Sequence, residues 1–414
     1  MPLPSRLPVV LAALCLLHSA AAHAVFVDRE MDSLDTEALY DSEYFLYPRS
    51  FDFALEWPDA FEYATGPAYW IAGESRDGYL RQALRVPLEF KDWFIVEYEY
   101  ATTHSNNRLP RKETETGIQQ VDQGLALGIL PIEHLEIFLR GDPNFDNRND
   151  YLALETRYND KDWGGLWGTV EVRDVYFNGA AAGRYDRHPV SFIAGGLYHR
   201  NNESVMYEVR MDLPLIRNMP QENRQYQFRR TRTMIDWRHR AVYKGAWDVR
   251  AGYHYDFKRE SDVYSLDPRG ATQDFRRAVH TVEASAFRWI KNVYLFEAGT
   301  TYLIRTGKTD FANRPELDVR HTRWELQPHT RFRYAIRHWA VSEVGLFFSV
   351  GERRRAYDLA GVGSVADDIV ETKLGLGQDV MVGNHAMFGI YTTYDLDTPK
   401  HFWDGGHFRL MLLF

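Results

Sequence analysis

From Tyr79 onward the chain keeps returning to one pattern, in which apolar and polar side chains alternate at period two over stretches of about ten residues. Consecutive side chains of a strand point to opposite faces, so each stretch presents one oily and one wet side. In residues 204–215, Val205, Tyr207, Val209, Met211 and Leu213 share one face, and Met206, Glu208, Arg210 and Asp212 the other. Residues 246–258 set Trp247, Val249, Ala251, Tyr253, Tyr255 and Phe257 against Asp248, Arg250, His254, Asp256 and Lys258. The longest case, residues 321–337, opposes Trp324, Leu326, Phe332 and Tyr334 to Arg323, Glu325, Gln327, His329, Arg331 and Arg333. A helix would scatter these groups around its circumference. Shorter versions lie in residues 80–90, 94–100, 152–158 and 370–382, while residues 192–198 and 279–290 show no clean parity. Many such segments predict an all-β, antiparallel, up-and-down barrel with lipid outside and water within.

The composition agrees. Aromatic residues make up 14% of the 414 residues, yet 26% are charged. After the first two dozen residues there is no helix-length apolar run. Arg6, the apolar stretch of residues 7–17 and the small residues ending Ala22-His23-Ala24 form a signal peptide, cleaved after Ala24. Cys15 is the single cysteine and lies within it, preceded by Leu14 where a lipidation site needs a small residue, so the mature chain has no thiol. That excludes disulfides, thiolate metal sites and a cysteine nucleophile. A net charge of −9 makes nucleic acid a poor partner. Residues 25–45, rich in Asp and Glu, are expected to form a periplasmic or lumenal arm, and residues 46–414 the barrel, without a second domain or internal repeat.

The turns fall into two classes. Tight ones occur at residues 91–92, 131–133, 159–163, 200–203, 244–245, 291–292, near 338 and at 383–385; longer polar stretches, such as 104–113, 178–188, 259–276, 307–316 and 354–367, alternate with them. Short turns belong at the periplasmic end and long loops outside. Counting from Tyr79 gives about 17 strands, and an earlier one in residues 47–57 or 68–73 makes about 18, an even number, with 16 as the alternative. Pro328 removes a ladder donor, so a bulge or kink is expected there.

The signal ending Ala22-His23-Ala24, the alternating hairpins and the final strand from His407 to Phe414 together resemble the bacterial outer-membrane β-barrel superfamily. That resemblance covers nearly the whole mature chain, but it is one of architecture. It implies a multi-pass protein in outer-membrane lipid, delivered by the barrel assembly machinery. By size it is similar to general and substrate-specific porins and to polysaccharide exporters, including alginate-type exporters. An exporter would work with periplasmic and inner-membrane polysaccharide-export proteins.

The inner face holds the candidate site. A basic strip is expected from Arg230, Arg232, Arg238, Arg240, Arg250, Arg323, Arg331, Arg333 and Arg337, with acidic partners Asp236, Asp248, Asp256, Glu325 and Glu343. Two readings stay open. Cross-strand pairing would brace the wall, each exposed pair contributing about 0–1 kcal/mol; alternatively an Arg-dense sector would favour anions, an acidic sugar chain among them. On the second reading, replacing Arg250, Arg331 and Arg333 shifts ion selectivity toward cations. Trp237, Trp247, Trp289, Trp324 and Trp339 suit interfacial girdles. Catalysis is not expected, because the nearest candidate for a Ser and His pair, His104-Ser105, points to opposite faces of its strand. No cofactor is expected, and the scattered His residues predict no metal site.

The functional expectation is an outer-membrane conduit for a secreted polysaccharide, with an autonomous porin or a sheath around a partner protein as alternatives. The stretch after Lys258, about 18 residues, is the longest candidate for an infolded constriction, and it is short for that role. Heat-dependent gel migration and a strand-dominated circular dichroism spectrum in detergent are expected. A monodisperse water-soluble product, or a helical spectrum, would refute the barrel.

Overall fold

The computed structural model describes the strands and several of their connections between residues 68 and 413; residues 1–67, most of the longer connections and Phe414 lie outside the described residues. The expected signal peptide and acidic arm therefore fall outside them, as does the strand expected in residues 47–57. Among the described residues no helix is long and apolar enough to cross a membrane. Crossing is by strands.

Twenty strand segments follow one another: β1 (Ala68–Glu74), β2 (Tyr79–Phe90), β3 (Phe94–Ser105), β4 (Ile118–Ile132), β5 (Leu135–Gly141), β6 (Tyr151–Asp160), β7 (Gly164–Arg173), β8 (Arg184–Arg187), β9 (Val190–Arg200), β10 (Glu203–Asp212), β11 (Leu215–Met219), β12 (Arg224–Tyr243), β13 (Trp247–Tyr264), β14 (Gln273–Ile290), β15 (Tyr294–Phe311), β16 (Val319–Arg337), β17 (Ala340–Tyr357), β18 (Ser364–Val382), β19 (Ala386–Asp395) and β20 (Trp403–Leu413). β9 pairs with β10, β8 with β11, and both β10 and β11 with β12. Thus β8–β9 is one strand interrupted before Pro189, and β10–β11 one interrupted at Pro214, which leaves 18 strands. Proline has no ladder donor, which accounts for both interruptions. Every neighbouring pair is antiparallel, and β1 pairs with β20 from Ala68↔Leu413 to Glu74↔His407, closing the sheet on itself. The strand that precedes Tyr79 is β1, the second of the two places the turn pattern allowed.

The faces sort as the alternation requires. Leu127, Leu154, Val209, Phe296, Trp324, Leu346 and Ile390 are exposed, while Glu155, Arg210, Asp256, Arg277, Glu325 and Glu343 are buried. An interior of charges and an exterior of aliphatic and aromatic side chains is the reverse of a water-soluble protein and suits a surrounding of oil. The two segments without clean parity resolve for different reasons. In β9, Ile193, Gly195 and Leu197 share the inner face with Ser191. In β14, Val279 and Phe287 face inward beside Thr281 and Glu283, so apolar residues occupy both sides.

Two expectations need correction. Pro328 causes no shift of register: Leu326 pairs with Val350 and His329 with Phe347, in step, and the irregularity lies instead between Ala335 and Arg337. The other concerns loops. Residues 259–264 and 273–276 belong to β13 and β14, so only 265–272 separate these strands; β15, β17 and β18 extend similarly into the expected loops after Gly307 and Arg354. Beyond the membrane both faces of a strand meet water, so the alternation fades while backbone pairing continues.

Small residues on the inner face make room for rings. A Cβ on Gly377 would lie 2.6 Å from Cδ1 of Tyr391, its partner across β18–β19, and Tyr391 is 2% exposed with its hydroxyl donating to Asp379. Gly377→Ala is expected to destabilise the barrel by about 1–3 kcal/mol through overpacking. Gly363→Ala, where nothing lies within 4 Å, should be neutral. Urea midpoints read by the heat-modifiable band test the pair, and equal midpoints would show that the ring does not need that space.

Candidate functional site

The inner wall is organised as carboxylates held between guanidinium groups of neighbouring strands. Because cross-strand partners on one face lie about 5 Å apart, a charge at one inward position meets the inward position beside it. Around β3 to β7, Arg140 donates to Glu97 at 3.2 Å and lies 3.4 Å from Glu155, which also pairs with Arg157 and accepts from Thr169. Between β7 and β12, Arg210 donates to Glu171 at 3.1 Å, to Asp212 at 3.0 Å and to Ser191 at 2.9 Å, and Arg230 reaches the other oxygen of Asp212 at 3.3 Å.

On β12 to β14 the centre is Asp256, wholly buried. Arg232 grips it with two donors at 2.8 and 3.3 Å, and Arg277, also buried, adds a third at 3.0 Å. Lower on the same strands, Arg238 donates to Asp236 at 2.8 Å and His254 lies 3.4 Å from that carboxylate. On β15 to β17, Arg331 bridges Glu297 at 3.1 Å and Glu343 at 3.7 Å, and Arg333 holds Glu343 at 2.5 Å. Glu325 accepts from Arg323 at 3.1 Å, from Gln327 at 2.9 Å and from Ser349 at 2.7 Å.

The expected residues therefore separate into groups. Arg230, Arg232, Arg323, Arg331 and Arg333 are little exposed and each holds a carboxylate. Arg238 pairs with Asp236 but is half exposed, and Arg250 is exposed with its guanidinium 4.5 Å above the Phe287 ring. Asp248 sits at the tight-turn end of β13, across from Val242 and Phe287. The side chains of Arg240 and Arg337 lie outside the described residues, as do those of His104, Ser105, Trp289 and Trp339.

Three inward cations escaped sequence reasoning as a group. Arg305 pairs in register with Arg323, and Arg323 with Arg353, so three guanidinium groups stand side by side on β15, β16 and β17. A parallel row, Arg232↔Lys258↔Arg277, crosses β12 to β14. Arg353 sits within the run Arg353-Arg354-Arg355, where alternation alone cannot assign the faces, and Arg277 follows Arg276 on the strand of mixed parity. Only the register shows that these residues align.

No family model matches the sequence, and no curated protein matches it. Among solved structures, the chain aligns with a bacterial polysaccharide outer membrane secretin over 85% of its own length and 99% of the other, at 10% identity and a TM-score of 0.39. OccAB3 of Acinetobacter baumannii aligns over 84% and 96%, at 10% identity and 0.41; OccK8 (OprE) of Pseudomonas aeruginosa over 84% and 95%, at 10% and 0.38. No substrate is taken from these alignments. The closed sheet, its apolar exterior and its charged interior are those of a membrane-spanning β-barrel.

Asp256→Asn leaves Arg232 and Arg277 without their shared counter-charge and is expected to lower stability by about 3–5 kcal/mol. Ser349→Ala, which removes one donor to Glu325, should lower it by about 1 kcal/mol. Denaturant midpoints of the refolded barrel measure both; an unshifted D256N midpoint would show that the cluster carries no structural role.

Proposed function

We propose that this barrel is an outer-membrane conduit through which an anionic polysaccharide leaves the cell. The observation that carries the reading is the row Arg305↔Arg323↔Arg353, seconded by Arg232↔Lys258↔Arg277. Like charges directly opposite one another destabilise a sheet, and a wall that only needed bracing would alternate signs, as it does at Glu297, Arg331 and Glu343. Guanidinium groups present forked donors that match carboxylate or phosphate, and a ladder of them lets an anion pass from one to the next without tight capture.

The connections support export over selective uptake. Between the described strands the longest gap is residues 106–117, and 265–272 is shorter still. Constriction of a wide barrel by an infolded loop takes more chain than this. Ion selectivity should answer to the rows, where cation meets cation across the strands, more than to Arg331, which lies directly opposite Glu297.

Deleting the gene is expected to remove an acidic polymer from the cell surface while periplasmic polymer accumulates. Unchanged surface polymer together with lost uptake of small anions would replace export by a porin role. In planar bilayers, Arg305→Gln combined with Arg353→Gln should shift the reversal potential toward cation selectivity, and R331Q should do so less. Identical reversal potentials in wild type and the double variant would sink the anion path.

A further inference from the structure

In one sector of the inner wall apolar side chains gather and stay in contact with the channel. Inward apolar residues such as Ile193, Val279, Leu295 and Leu303 are buried. Trp167, Leu197, Met206 and Met234 also face inward, yet all four are only half-buried. The register brings them together. Leu197 stands opposite Met206, and one tier away the row Trp167↔Gly195↔Glu208↔Met234 crosses β7, β9, β10 and β12.

The indole is fixed in place. A Cβ on Gly195 would stand 2.4 Å from Cε2 and Cζ2 of Trp167, so the ring lies directly over that glycine. Its Nε1–H reaches past β9 and donates to Glu208 on β10 at 3.3 Å. Other inner rings use a glycine in the same way: Phe138 lies against Gly128, Phe347 against Gly345 and Tyr391 against Gly377. Those rings are buried. Filling the space above a glycine requires no exposure, and Trp167 keeps some. With one face on Gly195 and its edge pinned by Glu208, the ring turns its other face to the lumen.

Gly164 opens β7, Arg200 closes β9 and Glu203 opens β10, so Trp167, Leu197 and Met206 lie near the tight-turn end of the barrel, its periplasmic mouth. From β7 to β12 the patch covers three strand spacings, about 14 Å. Polar groups rim it. Arg157 stands opposite Trp167, Asp236 opposite Met206, and Asp256 opposite Met234. A solute that fits this surface is apolar on one face and rich in hydrogen-bonding groups at its edge. A pyranose ring is such an object: its axial C–H groups form an apolar face, and its hydroxyls point outward to carboxylate and guanidinium groups. An indole offers that face a large contact area with few rotamers to lose. An acyl chain would not use the charged rim, and a small ion would not use the ring.

We infer that Trp167, with Leu197, Met206 and Met234, forms an entry subsite where a pyranose ring of the polysaccharide stacks on the indole as the polymer comes in from the periplasm. This rests on the export reading above and adds a second element to it. The cationic rows act on the polymer's acidic groups, and the patch takes its sugar rings whatever their substituents. Contact made ring by ring is weak at each step, which suits a path along which polymer must keep moving.

Saturation-transfer NMR on the full-length barrel in detergent tests this with cellohexaose, a neutral linear oligomer of glucose, and with polyethylene glycol of similar length as control. The ring C–H protons of cellohexaose should take up saturation from the wild type, and the glycol should take up little. Trp167→Ala should weaken cellohexaose binding at least about fivefold, whereas Trp167→Phe should retain most of it. Met206→Gln, a polar change on a face already polar, should weaken it about twofold; this variant decides the matter if W167A gives no heat-modifiable band. Cellohexaose carries no charge, so its binding is read independently of the cationic rows. Reversal potentials therefore report on the anion path, and saturation of the glucose rings on the subsite, and either can fail alone. No transfer from the wild type, equal binding by wild type and W167A, binding undiminished in M206Q, or saturation of the glycol as strong as that of the sugar would each overturn the assignment.

Discussion

In hydrocarbon a backbone amide has no water to bond to, and this constraint governs the molecule. A wall built of strands can meet it only by pairing each strand on both sides, which for a sheet means closure. Closure then fixes the chemistry of the two surfaces. With every donor and acceptor used within the wall, side chains alone distinguish outside from inside, and period-two alternation becomes obligatory across the bilayer. The buried charges follow from it: polar residues excluded from the oily face must occupy the inner one, where cross-strand neighbours stand close enough to pair.

That pairing explains why an interior crowded with arginine is stable. Asp256 between Arg232 and Arg277, or Glu343 between Arg331 and Arg333, neutralises locally and stiffens adjacent strands at once. The register also sets like charges opposite one another. Inside, Arg305, Arg323 and Arg353 line up; outside, Arg259, Arg276, Lys308 and Arg320 do.

How much of this the amino-acid sequence shows depends on where contrast exists. Within the bilayer, oil and water write themselves into alternate positions, so the 18 strands, the faces of β10, β13 and β16 and the tight turns could be read directly. Above the bilayer the contrast disappears, and residues 259–264 looked like loop although they continue β13. Val279 and Phe287 blurred β14 because an inner wall also needs rings to pack against. Pro328 proved harmless because the adjacent pairs hold the register on either side. The cationic rows were illegible for a different reason: they exist only between strands, and a single sequence carries no register.

The seam between β1 and β20 joins residues that are hundreds of positions apart in the chain, along only seven pairs. Hairpins elsewhere in the sheet can form between neighbours and grow outward, but this contact has no local route. Until it is made, two raw strand edges face a solvent that cannot satisfy them. Entering the bilayer and completing the circle must therefore be a single event, or some other surface must hold those edges until the two meet.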